Sequence, residues 1–94
     1  MSVLRRMRGA IRTERYRISS HANDEMADDM LMASDIERIV LTGAIIRQFT
    51  DDPRGTRYEV LGKTVDGRAA YVVCRFHGPD VLLIITAYAA EVEE

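Results

Sequence analysis

The apolar periodicity of this chain changes at Gly43, and that change limits the folds open to it. Before Gly43 the apolar residues recur at helical spacing; after it they alternate with polar ones. Turn signals divide the second half at Asp51-Asp52-Pro53-Arg54-Gly55, Val65-Asp66-Gly67 and His77-Gly78-Pro79-Asp80. Short alternating runs joined by tight turns pair with their neighbours as an antiparallel meander. The expected fold is therefore α+β: about three N-terminal helices, then a four-stranded antiparallel sheet with the helices packed on one face. The other face either curves over a small second core or is used for binding.

The helical half carries its own punctuation. Leu4, Met7 and Ile11 fall on one face of a first helix over about residues 2–14, with arginines between them and Gly9 weakening it. Tyr16-Arg17-Ile18-Ser19 is a short extended segment. Ser20 can cap a second helix whose first turn holds Asp24 and Glu25, with Ala22, Met26 and Met30 on its apolar face. Ser34-Asp35-Ile36-Glu37 fits a capping box for a third helix over about residues 35–42, and Gly43 stands where a helix-terminating glycine belongs. The strands are expected at Ala44–Thr50, Arg57–Lys63, Ala69–Phe76 and Val81–Tyr88, the last apolar on both faces through Ile85. The 94 residues suit a single domain. It divides into a basic amphipathic helix or arm at 1–15, a helical part at 16–43, a sheet at 44–88 and a frayed acidic tail at 89–94.

Composition excludes several classes. One cysteine, Cys74, allows neither a disulfide framework nor a cysteine-based zinc site, and it alternates with Val72 and Phe76 as a core residue. The two histidines, His21 and His77, are far apart, so no metal site is expected, and no cofactor motif is present. The longest apolar run, Val81–Ile85, is far too short for a membrane span, and the first residues lack the apolar block of a signal peptide. A cytoplasmic protein is expected.

Charge is unevenly spread. The net charge of −2 combines +5 over residues 1–17 with −6 over residues 24–37. Arginines outnumber lysines twelve to one, and arginine grips phosphate bidentately. The arm residues Arg5, Arg6, Arg8 and Arg12 can bind nucleic acid, or face the acidic segment or a partner protein. Arg57, Arg68 and Arg75 lie on or beside the strands, with Arg47 on the first of them. On one open face they could hold a phosphodiester; paired with cross-strand carboxylates they would only solubilise the sheet. His21, at the start of a capped helix, suits acid/base chemistry, or is a surface histidine bonded to a neighbour. Thr86 and Tyr88 share a face at the end of the last strand. Met26, Met30 and Met32 read as packing residues.

Several segments together resemble the bacterial domain of unknown function 4258 family. They are Tyr16-Arg17-Ile18-Ser19-Ser20-His21-Ala22 with Met26, Asp35-Ile36-Glu37, Gly43-Ala44-Ile45-Ile46, Tyr58–Lys63, Gly67-Arg68, Tyr71-Val72-Val73 and Ile84-Ile85-Thr86-Ala87-Tyr88. The family is distantly similar to the RelE-like and BrnT-like ribonuclease toxins, small α+β domains that cleave RNA without a metal. The resemblance implies a toxin-type endoribonuclease and an antitoxin-like partner of zinc-finger type. His21 would then be the acid/base, Arg68 and Arg75 the phosphate-charge stabilisers, and Tyr88 a positioning or proton-donating hydroxyl, with Arg57 and Thr86 as binding residues. The family usually has a basic residue where this chain has Asp29, and often another where it has Glu25, which weighs against RNA contact by that helix. A non-catalytic module that dimerises or binds a protein through its sheet is the alternative, and the net acidity favours it. Nucleic-acid binding by the arm without cleavage is a third reading.

Overall fold

The computed structural model describes residues 2–91. Among them, the elements run α1 (Val3–Arg12), β1 (Tyr16–Ile18), α2 (Ser20–Asp28), α3 (Ala33–Thr42), β2 (Ala44–Phe49), β3 (Arg57–Lys63), β4 (Ala69–His77) and β5 (Val81–Ala89). The sheet order is β1-β5-β4-β3-β2. Strands β2 to β5 form the expected antiparallel meander. The expectation of four strands is corrected by β1, which adds a fifth, parallel to β5, with Tyr16 opposite Leu82 and Ile18 opposite Ile84. Three residues are too few to show a period, and the partner lies at the far end of the chain.

The helices and one sheet face share one apolar core. Met7, Ile36, Ile39 and Val40 meet Val60, Val72, Cys74, Leu82 and Ile84, all fully buried. Each large aliphatic side chain placed there contributes about 1.5–3 kcal/mol of transfer free energy. Burial raises the Cys74 thiol to about 12, so Cys74 is the inert core residue expected.

Two strand irregularities set the facing of side chains. In β5, Ile84 pairs with Cys74 and Thr86 with Val73, leaving Ile85 as an extra residue. The inward residues are therefore Leu82, Ile84 and then Ala87. Strict alternation from Leu82 would have turned Thr86 and Tyr88 inward; the bulge turns them to the face that carries no helix. A second bulge at Ile46 interrupts the pairing of β2 with β3.

The caps differ from expectation. Ser19, not Ser20, caps α2: its Oγ accepts from the Ala22 N–H at 3.0 Å and donates to the Ile85 carbonyl at 3.0 Å. Both serines can cap, and the contact with the bulge selects Ser19. Helix α3 begins after Met32, not Ser34, because Asp35 accepts from the Met32 N–H at 2.9 Å while its other oxygen accepts from the Val65 N–H at 2.9 Å. Glu37 instead accepts from the Tyr16 hydroxyl at 2.6 Å. The carbonyls at the end of α3 are met by Arg8, whose Nε donates to Val40 O at 3.1 Å and Nη2 to Gly43 O at 2.9 Å.

Helices α1 and α2 both end in a six-to-one turn, Arg15 N–H to Ala10 O at 2.8 Å and Leu31 N–H to Met26 O at 2.8 Å. The left-handed positions are Glu14 (φ 58°) and Met30 (φ 56°), where glycine is usual. Met30 is thereby turned outward, 77% exposed, and Met32 is exposed as well, so neither packs as expected. Gly43 ends α3 with extended backbone instead of the left-handed form. Its need for glycine is a close approach: a Cβ there would lie 2.5 Å from both Ile39 O and Leu61 O. The tail expected to fray from Ala89 is paired at its start, since Ala89 belongs to β5 and the Ala90 N–H donates to Ala69 O at 2.9 Å. Its residues 92–94 lie outside the described residues. Among the described residues, no helix is long and apolar enough to cross a membrane.

Chemical denaturation of single variants tests these placements. Gly43→Ala is expected to lose roughly 3 kcal/mol or more, since two backbone carbonyls must move. Glu14→Gly and Met30→Gly are each expected to gain up to about 1 kcal/mol by relieving a left-handed side chain.

Candidate functional site

The sheet face opposite the helices is assembled from alternate residues of all five strands. One row across it runs Arg17, Leu83, Arg75, following the register of β1, β5 and β4. Arg57 continues this row, one step beyond the Tyr58–Cys74 pair, and Phe49 lies opposite it on β2. The next row runs Thr86, Val73, Glu59, Arg47, and the third Tyr88, Tyr71, Leu61, Ala44.

Glu59 is the centre of this face. It is only 7% exposed, a buried carboxylate on a surface that no helix covers. Its Oε2 accepts from the Tyr88 hydroxyl at 3.1 Å, and its Oε1 lies 3.9 Å from the Arg47 Nε. Tyr88 reaches it across β4, stacked on Tyr71 with ring centroids 5.1 Å apart. Partial burial first, and then the bond to Glu59, raise the Tyr88 phenol above its ordinary value, so it stays a proton donor. Arg57 stacks on Phe49 at 5.0 Å. Its Nε lies 3.4 Å from Asp52 Oδ2 but misaligned, and makes no hydrogen bond. Arg75 has no ion-pair partner among the described residues; its Nη1 reaches only the neighbouring Phe76 carbonyl at 3.4 Å. The face therefore offers four arginines and a hydrogen-bonded carboxylate; Arg47 and Arg57 lie beside Glu59 and Asp52, while Arg17 and Arg75 have no ion-pair partner among the described residues.

Of the residues the sequence pointed to, Arg57, Arg75, Thr86 and Tyr88 come together on this face. Arg68 does not join them. It closes the turn between β3 and β4 against the end of α2, donating from Nη1 to Asp29 O at 2.8 Å and from Nη2 to Met30 O at 2.9 Å, with Asp66 beside its Nε at 3.3 Å. Its guanidinium is spent on the fold. His21 is 68% exposed on α2 and pairs with Glu25 at 3.2 Å, whereas the Tyr88 hydroxyl is engaged by Glu59. Of the arm residues, Arg5, Arg6 and Arg12 line one cleft, and Arg8 is taken up by the end of α3. The alternation of Arg57–Lys63 marks Glu59 only as a polar strand residue. A carboxylate beside Val60 in a strand with Tyr58 is no signal by itself; its burial comes from Tyr88, many residues away.

Glu25 and Asp29 have a structural task. Glu25 Oε1 accepts from the Ala87 N–H at 3.3 Å and Asp29 Oδ2 from the Ala89 N–H at 2.8 Å. Four residues of helix rise about 6 Å and two of strand about 6.7 Å, so consecutive turns of α2 match alternate amides of β5. The carboxylates close the stretch of strand edge that the short β1 leaves unpaired.

A family model described as Domain of unknown function (DUF4258) matches residues 18–89. The chain belongs to this family. No curated protein and no solved structure matches it. The matched span holds β3, β4 and β5 complete, and with them Glu59, Arg57, Arg75, Thr86 and Tyr88. Helix α1 and its arginines precede it. Among the described residues of this family member, no group of three His, Cys, Asp or Glu side chains is placed to hold a metal ion.

Alkaline titration checks the tyrosine contacts. Tyr16, partly buried and bonded to Glu37, is raised to about 12, and Tyr88 is raised for the same kinds of reason. A raised phenol supports the fold fully below its unfolded value near 10 and loses that support as pH climbs through the folded value. Phenolate absorbance is expected to show late-ionising tyrosines, with Tyr16→Phe and Tyr88→Phe each removing one of them.

Proposed function

We propose that this chain is a metal-independent endoribonuclease acting on the open face of its sheet, as the resemblance to RelE-like and BrnT-like toxins implies. The observation that carries the reading is the buried Glu59 carboxylate, held by Tyr88 with Arg47 at 3.9 Å and with Arg57 and Arg75 in the adjacent row, on a face no helix covers.

In this mechanism Glu59 takes the proton of a ribose 2′-hydroxyl. The 2′-oxygen attacks the adjacent phosphorus, and the bond to the 5′-oxygen breaks. The products are a 2′,3′-cyclic phosphate and a 5′-hydroxyl. Arg57 and Arg75 bind the non-bridging oxygens and offset the charge that grows on them in the transition state. Tyr88 orients Glu59 and relays the proton to the departing 5′-oxygen; Thr86 borders the scissile group. Arg68 serves the fold in this reading, and His21 stands outside the reacting cluster.

A second reading is a protein-interaction module that pairs with a second copy or an antitoxin-like partner through the sheet. It is supported by β2, the last strand of the sheet on its side, where Ile46 is 47% exposed.

The test is incubation of the purified chain with mixed-sequence single-stranded RNA in the presence of a chelator. Cleavage with cyclic-phosphate ends is expected. Glu59→Gln and Arg75→Ala should each slow it by about a hundredfold or more, and Tyr88→Phe by roughly tenfold, with unchanged melting temperature for Arg75→Ala. Absence of cleavage, or a Glu59→Gln variant that cuts at the wild-type rate, rejects the reading. A dimer by light scattering that disperses in Ile46→Lys would then favour the module.

A further inference from the structure

The second cationic feature of the molecule is a cleft of about 710 Å³ between α1 and the turn that joins β4 to β5. That volume falls in the range of roughly 300–1,000 Å³ typical of ligand sites. Arg5, Arg6, Arg12 and Arg15 line it, with Asp80 as the acidic member, a surplus of three positive charges. In a chain whose net charge is −2, such a surplus requires a reason.

The arginines are not equivalent. Arg6 is fixed: its guanidinium lies 4.1 Å from the centre of the Phe76 ring and its Nη2 donates to Pro79 O at 3.2 Å. Together they form a flat, cationic wall. Arg15 lies 3.6 Å from Asp80 on the surface, a loose pair. Arg5 and Arg12 have no ion-pair partner among the described residues. They stand two helical turns apart on one face of α1, with Gly9 between them. A glycine in a helix interior costs about 1 kcal/mol against alanine. Nothing in the fold requires Gly9, since a Cβ there would meet no atom within 4 Å. Its effect is to leave the floor of the cleft clear between two free guanidinium groups.

We propose that this cleft binds a phosphodiester of single-stranded RNA, with Arg5 and Arg12 on the phosphate oxygens and a base against the Arg6–Phe76 wall. A flat ring and an anion in succession suit that pairing of a stacked platform with free cations. The site's arginines precede the matched family span while Phe76 and Pro79 fall within it, and it lies on the helix side of the sheet, so it is distinct from the Glu59 face. It takes the same class of ligand but does not depend on cleavage.

The test is fluorescence anisotropy of a labelled single-stranded RNA, titrated against salt from about 50 mM upward. Two variants are compared with the wild-type chain, Arg5→Gln/Arg12→Gln and Gly9→Leu, the second of which fills the cleft without touching its charge. Circular dichroism and melting temperature confirm that each is folded. The double variant is expected to bind about tenfold or more weaker, with a log–log salt slope shallower by about 1.4, two contacts at roughly 0.7 each. Gly9→Leu is expected to weaken binding with a smaller change of slope. Inorganic phosphate and a mononucleotide as competitors separate a simple anion site from one that reads a strand: displacement by phosphate at the same concentration as by RNA phosphate overturns the strand assignment. Affinity and slope within twofold of wild type in both variants, or no RNA binding by the wild-type chain, overturn the inference. Cleavage that persists while the cleft variants bind normally rejects this site alone. Weakened binding by the variants of a chain that makes no cuts rejects the cleavage reading alone.

Discussion

The extra residue at Ile85 decides what this protein presents to its surroundings. With it, Leu82 and Ile84 face the helices while Thr86 and Tyr88 face the other way. Without it the register would slip by one, and Tyr88 would be driven towards α2 and a core that has no room for a phenol. The bulge is held from outside the hairpin. Ser19 donates to the Ile85 carbonyl, and its backbone N–H donates to Ile84 O at 2.9 Å, so the same residue that starts α2 fixes the irregular point of β5. Below it, Glu25 and Asp29 take the amides of Ala87 and Ala89. Helix α2 is thus a splint along the second half of β5.

This arrangement explains the acidic helix without a binding partner. The carboxylates at 25 and 29 look out of place on a protein proposed to handle RNA. They are bonded to strand amides, and His21 shares the Glu25 oxygen. The positive charge is concentrated elsewhere, on the open sheet face and in the α1 cleft. Net charge is therefore a poor guide to this molecule, because the two signs are separated in space and Glu25, Asp29 and Asp35 are bonded to backbone amides.

A similar division separates the arginines. Arg8 and Arg68 terminate helices by donating to carbonyls that the helices themselves leave unpaired. Arg5, Arg12 and Arg75 have no such task. The local sequence sets Arg68 just after the Val65-Asp66-Gly67 turn and Arg75 within β4, but neither position shows which guanidinium the fold takes up. The difference arises because Arg68 sits at the mouth of a turn that meets the end of α2, whereas Arg75 faces away from every helix.

The sequence by itself determined the helices, the antiparallel meander, the turns and the core status of Cys74, since those rest on local periodicity and on turn chemistry within a few residues. It also carried the family, through motifs spread from Ile18 to Ala89. Only the tertiary structure decided that Tyr16–Ile18 is a fifth strand, that Ser19 and not Ser20 is the cap, and that Met30 turns out to solvent. It alone brought Glu59 beneath Tyr88 and set Arg5, Arg6 and Arg12 around one cleft while removing Arg8 and Arg68 from any site. Apart from Met30, which the left-handed turn after α2 sets outward, each of these depends on a contact between residues far apart in the chain, and such a contact leaves no periodic trace in the sequence of either partner.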